Sequence, residues 1–201
     1  MYERRSTSLY NCQLFFSMFL QNLTVVSPNT TITSILGPKR RRRRSDNDDN
    51  DRLDLLPTLL AAIQTHSNND DLAFSVFGLL SNVALHTKGI ASLRSLNVYT
   101  IAVEAVRKHP SHLELQNVAF SLFHHIGNDT NDERTTLDLA DLVMKSIVAH
   151  PNEEMLQMNA RKVLQDLLRG DGNDCCDEIV TLARENYPNC TDLVDELLQN
   201  N

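Results

Sequence analysis

Tryptophan is absent from these 201 residues, and glycine and proline, at six each, are scarce. So few helix breakers exclude a sandwich or barrel of many short strands joined by tight turns, and they leave long helices permitted. Cysteine is almost as rare. Cys12, Cys175, Cys176 and Cys190 cannot form a disulfide lattice, and without a CxxC spacing they do not make a zinc site. They read as small apolar residues, reduced and packed. Long apolar runs are missing too: the nearest, YNCQLFFSMFLQNLTVV at 10–26, is broken by Asn11, Gln13, Gln21 and Asn22. It falls short of the ~20 apolar residues that a membrane-spanning helix needs. Arg4 and Arg5 ahead of it resemble the basic start of a signal peptide, but no small-x-small cleavage site follows. Phosphate-cradling and nucleophile motifs of the GxGxxG, GxxxxGKS/T and GxSxG types are lacking.

Charge is the first positive signal. The net value of -7 hides a division, because residues 1–45 carry eight Lys/Arg against Glu3, hence +7, whereas residues 46–201 hold 11 bases and 25 acids, hence -14. An acidic domain repels phosphate backbones, so nucleic acid is not an expected partner of residues 52–201. The cations concentrate in one run, Lys39, Arg40, Arg41, Arg42, Arg43 and Arg44, followed by Ser45 and an Asp/Asn stretch. Such a segment has nothing to bury, so residues 1–51 are expected to be a low-complexity, disordered extension before a helical domain at 52–201. The run has the form of a nuclear localisation element, and Ser45 before Asp46 and Asp48 that of an acidic-directed phosphorylation site. A cytoplasmic or nuclear protein is expected.

The second signal is a repetition. HPSHLELQNVAF begins at His109 and HPNEEMLQMNAR at His150, 41 residues later. With His66 and Tyr187 added as anchors, the spacings are 43, 41 and 37 residues. Six residues after each anchor stands a leucine: Leu72, Leu115, Leu156 and Leu193. At plus ten come Val76, Ala119, Ala160 and Leu197; plus thirteen, fourteen and seventeen are apolar in all three full copies. Steps of four, three, one and three lay one stripe on one face of an amphipathic helix. Before each anchor a second stripe includes Leu59, Ala102 and Val143, then Leu60, Val103 and Met144, then Ile63, Val106 and Ile147. A second helix therefore ends at each anchor, where Pro110 and Pro151 forbid its continuation. Asn69, Ser111 and Asn152 are placed to cap the next helix, and Ser111 with Glu114 reads as a capping box.

A two-helix unit of some 40 residues cannot bury both stripes alone, but stacked units make a continuous core. The expected fold is all-α: a right-handed α-solenoid of three to four repeats, with units near 52–86, 87–129, 130–170 and 171–201.

These residues resemble the armadillo repeat family, whose unit has a short first helix, a second helix and a long third helix lining a concave face. The segment 87–129 looks like one complete copy, with the short helix over 88–96 and Asn97 at its C-terminal turn. LPTLLAAI from Leu56 and LLSNVA from Leu79 resemble the family's second-helix start and third-helix ending. The pattern of His, five residues, then Leu-Gln is similar to armadillo arrays found beside leucine-rich-repeat kinases; HEAT repeats are the structural alternative.

The resemblance implies a non-catalytic scaffold that binds an extended segment of a partner protein on the concave face. In armadillo proteins that read basic peptides, a Trp and an Asn four residues apart on each third helix form a ladder. The matching positions are Gly78 and Asn82, Ser121 and His125, Lys162 and Asp166, so that only Asn82 keeps the pattern. Asn82, Ser121, His125, Lys162 and Asp166 are the expected partner-binding residues, and the surrounding carboxylates favour a basic partner, the chain's own basic run among the candidates. The alternative is a nuclear, nucleic-acid-associated or anionic-membrane-associated protein working through that run. No catalytic residue, metal or cofactor is assigned: His109 with His112 and His124 with His125 have no carboxylate completing an HExxH arrangement. Phe74, Phe77, Phe120, Phe123 and Met144 are expected in the core.

Overall fold

The computed structural model describes residues 55–127, 133–169 and 175–199. The basic run, the apolar stretch at 10–26, Ser45 and Cys12 lie outside them. Among the described residues every regular element is helical. The α-helices are α1 (Leu55–Thr65), α2 (Asp70–Ala84), α3 (Thr87–Ser95), α4 (Val98–Lys108), α5 (Leu113–Ile126), α6 (Glu133–Ala149), α7 (Glu154–Leu168), α8 (Cys175–Asn186) and α9 (Thr191–Gln199), with a 3-10 turn at Pro188–Cys190 before α9. None of them is long and apolar enough to cross a membrane.

The four anchors form four corners of one construction. Each anchor's N–H donates to a carbonyl four residues back: His66 to Ala62, His109 to Ala105, His150 to Ser146 and Tyr187 to Ala183, at 2.9–3.2 Å. Each anchor's carbonyl accepts from the N–H three residues on, from Asn69, His112, Glu153 and Cys190, at 2.7–3.3 Å. The anchor thus ends one helix and opens a four-residue turn. Pro110, Pro151 and Pro188 occupy its second position, where a fixed φ suits the turn and no N–H is demanded.

The repeated Leu-Gln has a division of labour. Leu115 and Leu156 are 0% and 2% exposed, which at ~25 cal/mol per Å² of apolar surface makes each worth about 2 kcal/mol. The glutamine that follows closes the corner: Gln116 Nε2 donates to the Pro110 carbonyl, and Gln157 Nε2 donates to those of Ile147 and His150, both at 2.9 Å. The Ile147 carbonyl belongs to the last turn of α6 and would otherwise be left open, whereas the His150 carbonyl also accepts from Glu153 N–H.

The caps differ from expectation. Asn69 caps α2, its side chain accepting from Leu72 N–H at 2.9 Å. On α5, however, the cap is His112 rather than Ser111, with His112 Nδ1 accepting from Leu115 N–H at 3.1 Å. On α7 the cap position is Glu153 rather than Asn152, and no side chain caps it. The Pro turn consumes Ser111 and Asn152 as its third residue, so the helix starts one residue later than a reading from sequence places it.

Helices touch in two successions. α2 packs on α5, α5 on α7 and α7 on α9, while α1 packs on α4, α4 on α6 and α6 on α8. The stripes at plus six to plus seventeen of the three full copies, and those at minus seven, six and three, are all buried in one continuous core. Phe74 departs from expectation: it only packs against this core from the side, its ring stacked on His112 at 6.0 Å between centroids. The short α3 covers the ends of α2 and α5. Gly89 brings it so close to α2 that a Cβ there would collide with the Val83 carbonyl, and Arg94 donates to the Ile126 carbonyl at 2.6 and 3.1 Å. Asn97, between α3 and α4, sits in the left-handed region at φ 55°, a conformation that asparagine tolerates better than most side chains.

Candidate functional site

The residues at plus twelve and plus sixteen lie on α2, α5 and α7, the three helices that pack in succession. Gly78, the first member of that stripe, is buried, whereas Asn82, Ser121, His125, Lys162 and Asp166 are all half-buried. Their states differ. His125 Nδ1–H donates to the Ser121 carbonyl at 2.6 Å, and the Ser121 hydroxyl meets that of Ser81 at 3.2 Å. Asp166 accepts from His124 Nδ1 at 2.6 Å, tying α7 to α5, and the His124 and His125 rings lie 5.6 Å apart. Three of the five expected residues are therefore spent on bonds within the protein. The side chains of Asn82 and Lys162 have no hydrogen bond or ion pair with another described residue.

Two residues of this face escaped the sequence reading. Met155 and Met158 are 58% and 43% exposed on α7, at plus five and plus eight, in line with Lys162. The signal was present, because plus five and plus eight lie off the buried offsets and hold Asp71 and Phe74 in the first copy, Glu114 and Asn117 in the second. Asn117 accepts from Asn159 Nδ2 at 2.7 Å, another tie between α5 and α7.

Acids gather where these helices begin: Asp70 and Asp71 on α2, Glu114 on α5 and Glu154 on α7, each favoured by the positive end of the helix dipole. Ligand-type atoms of Asp70, Asp71 and His112 come within 4.8 Å of one another. Asp70 Oδ1 also accepts from Asp71 N–H at 3.0 Å, and His112 Nδ1 from Leu115 N–H.

Two clefts open on the other succession of helices, one between α1 and α4 and one between α4 and α6. They are copies of each other. Each of the eight residues lining the first reappears, 43 or 41 positions later, in the lining of the second: Ile63 as Val106, Ser67 as Pro110, Ala73 as Gln116, Glu104 as Lys145.

The groups whose protonation the fold perturbs are all pushed towards their neutral forms. Burial, with the Asp166 charge, raises the Tyr99 phenol; burial and the hydrogen bond to Asp141 raise Tyr187. Burial raises the Cys176 and Cys190 thiols, Asp177 adding to the effect at Cys176. A thiol held protonated is a poor nucleophile.

Comparison with protein-family models, curated proteins and solved structures finds no match for this chain.

Proposed function

We propose that the chain is a non-catalytic interaction scaffold built as a right-handed α-solenoid of armadillo-type repeats, and that the face shared by α2, α5 and α7 binds an extended segment of a partner protein. The repeat reading is supported by four like corners, by two clefts in the same phase, and by cross-links one repeat apart: Ser81 with Ser121, Asn117 with Asn159, and His124 with Asp166, separated by 40, 42 and 42 residues. The observation that carries the binding reading is the pair of exposed methionines beside Lys162, whose side chain has no partner among the described residues. Flexible thioether side chains suit a surface that adapts to a bound chain. The acids at the helix starts favour a partner that is cationic where it crosses Asp71 and Glu114. Micromolar binding requires about 8 kcal/mol net of ordering costs, so a face of three helices supplies modest affinity.

The test compares partners captured by the full chain with those captured by the triple variant Met155→Ser, Met158→Ser, Lys162→Glu, at two exposed positions and one half-buried position outside the core. Loss of partners retained by a variant altered at Glu104 supports the reading. An unchanged partner set overturns it.

The charge division favours a second reading, in which the basic run directs nuclear entry or contact with nucleic acid or anionic membrane. Salt-sensitive binding of the full chain to DNA or anionic vesicles, lost when the run is changed to glutamine, supports it; binding that survives the change rules it out.

A further inference from the structure

The cleft between α4 and α6 carries chemistry that its copy between α1 and α4 lacks. Its volume is about 290 Å³, against about 210 Å³ for the copy. Gln116 lines it and is 1% exposed; its Nε2 is committed to the Pro110 carbonyl, and its Oε1 is buried with no partner among the described residues. A buried acceptor left unpaired costs about 1–3 kcal/mol, which a ligand that brings a donor recovers. Beside it Ser146, 6% exposed, donates its hydroxyl to the Leu142 carbonyl at 2.9 Å and keeps lone pairs to accept with. Both free functions on the buried side are acceptors.

The rim has the opposite character. Lys145 is exposed and has no partner among the described residues. Of the other ionisable groups in the lining, Arg107 pairs with Asp138 at 2.9 Å, Asp141 accepts from the Tyr187 hydroxyl at 2.6 Å and keeps its negative charge, and His150 is the remaining one. Val106 and Leu142 supply apolar wall. A ligand complementary to this lining carries an N–H or O–H donor inside, an anion towards Lys145, and an apolar group between. The last residue of a polypeptide joins all three in one unit: a backbone N–H, a terminal carboxylate and a side chain.

We propose that this cleft binds the C-terminal residue of a partner polypeptide, with the last amide N–H on Gln116 Oε1, the terminal carboxylate on Lys145, and the side chain against Val106 and Leu142. Where Gln116 and Lys145 stand, the copy has Ala73 and Glu104, and its own cation, Lys108, stands where this cleft has Ala149. The site is separate from the face assigned to extended partners and does not depend on that assignment.

The experiment is an amide-resolved NMR titration of the full chain with N-acetyl-glycyl-leucine. Saturable shifts at Val106, Gln116 and Ser146, with none at Ala73 and Glu104, support the proposal. The C-terminal amide of the same peptide, and the peptide methylated on its last nitrogen, are each expected to bind about tenfold more weakly, the factor for one lost charge-assisted or buried hydrogen bond. Lys145→Met, at an exposed position, should reproduce the loss seen with the amide without altering the unperturbed spectrum; Gln116→Leu should reproduce that of the methylated peptide if it folds. Absence of shifts, equal shifts in both clefts, equal binding of acid and amide, or full binding by Lys145→Met each overturns the proposal.

Discussion

His109 reaches back across one whole repeat: its Nε2–H donates to the carbonyl of Ser67, 3.0 Å away and 42 residues earlier. The corner that closes α4 is thereby fastened to the corner that closes α1. The carbonyl can only accept, so the proton sits on Nε2.

His109→Ala should therefore lower stability by about 1 kcal/mol, read as a lower urea midpoint with an unchanged slope. His109→Gln, which restores a donor, should recover part of the loss. Equal midpoints for the wild type and the alanine variant would show that the bond adds nothing.

The corner glutamine permits a sharper comparison. Gln157→Leu removes a donor shared by the Ile147 and His150 carbonyls and should cost about 1–3 kcal/mol. Gln157→Glu offers the same shape without the amide donor, so it should fail to rescue. Thermal melts of the three proteins decide the matter, and a fully stable glutamate variant would refute the clamp.

At Gly89 the limit is space. Gly89→Ala drives a methyl group into the Val83 carbonyl, and overpacking of this kind costs about 1–3 kcal/mol or more. Ala91→Gly, on the same helix, should cost only about 1 kcal/mol through backbone entropy. If the two losses measured by chemical unfolding are alike, α3 does not press on α2 as described.

Two tyrosines set the response to alkali. Both phenols are raised above the ordinary value of 10.0, Tyr99 chiefly by burial and Tyr187 by burial with its bond to Asp141. The folded state keeps protons that the unfolded chain gives up near pH 10, so their contribution is complete below that pH and drains away as pH climbs through the folded values. Tyr99→Phe should raise the pH at which the chain unfolds. At neutral pH it should cost nothing or add up to about 1 kcal/mol, because the Tyr99 hydroxyl is buried with no partner among the described residues. Tyr187→Phe should lower neutral stability by about 1–2 kcal/mol, since Asp141 loses its donor. Circular dichroism across pH 8 to 12 separates these outcomes.

Helix ends were legible at His66, His109, His150 and Tyr187 because proline and apolar phase are local signals, and the buried stripes followed from period alone. The caps on α5 and α7 were not, since a proline turn moves the helix start by one residue and propensity at Ser111 or Asn152 does not register the shift. At the candidate site the armadillo resemblance picked out Asn82, Ser121, His125, Lys162 and Asp166, which are half-buried rather than in the core. It could not reveal that Ser121, His125 and Asp166 are already bonded, because those bonds join helices forty residues apart or run from side chain to backbone. Met155 and Met158 were passed over for a related reason. An apolar letter suggests burial, and only its offset says otherwise.

The corners at His66, His109 and His150 each leave four residues between consecutive helices, although the anchors themselves are 43 and 41 apart. Variation in block length is thus absorbed at the opposite ends of the hairpins, where α3 occupies one connection and a shorter link follows α5. Extra residues just after Gly127 should be accommodated, whereas a single one added beside Pro110 would rotate every side chain of the following helix by a hundred degrees and turn its leucines outward.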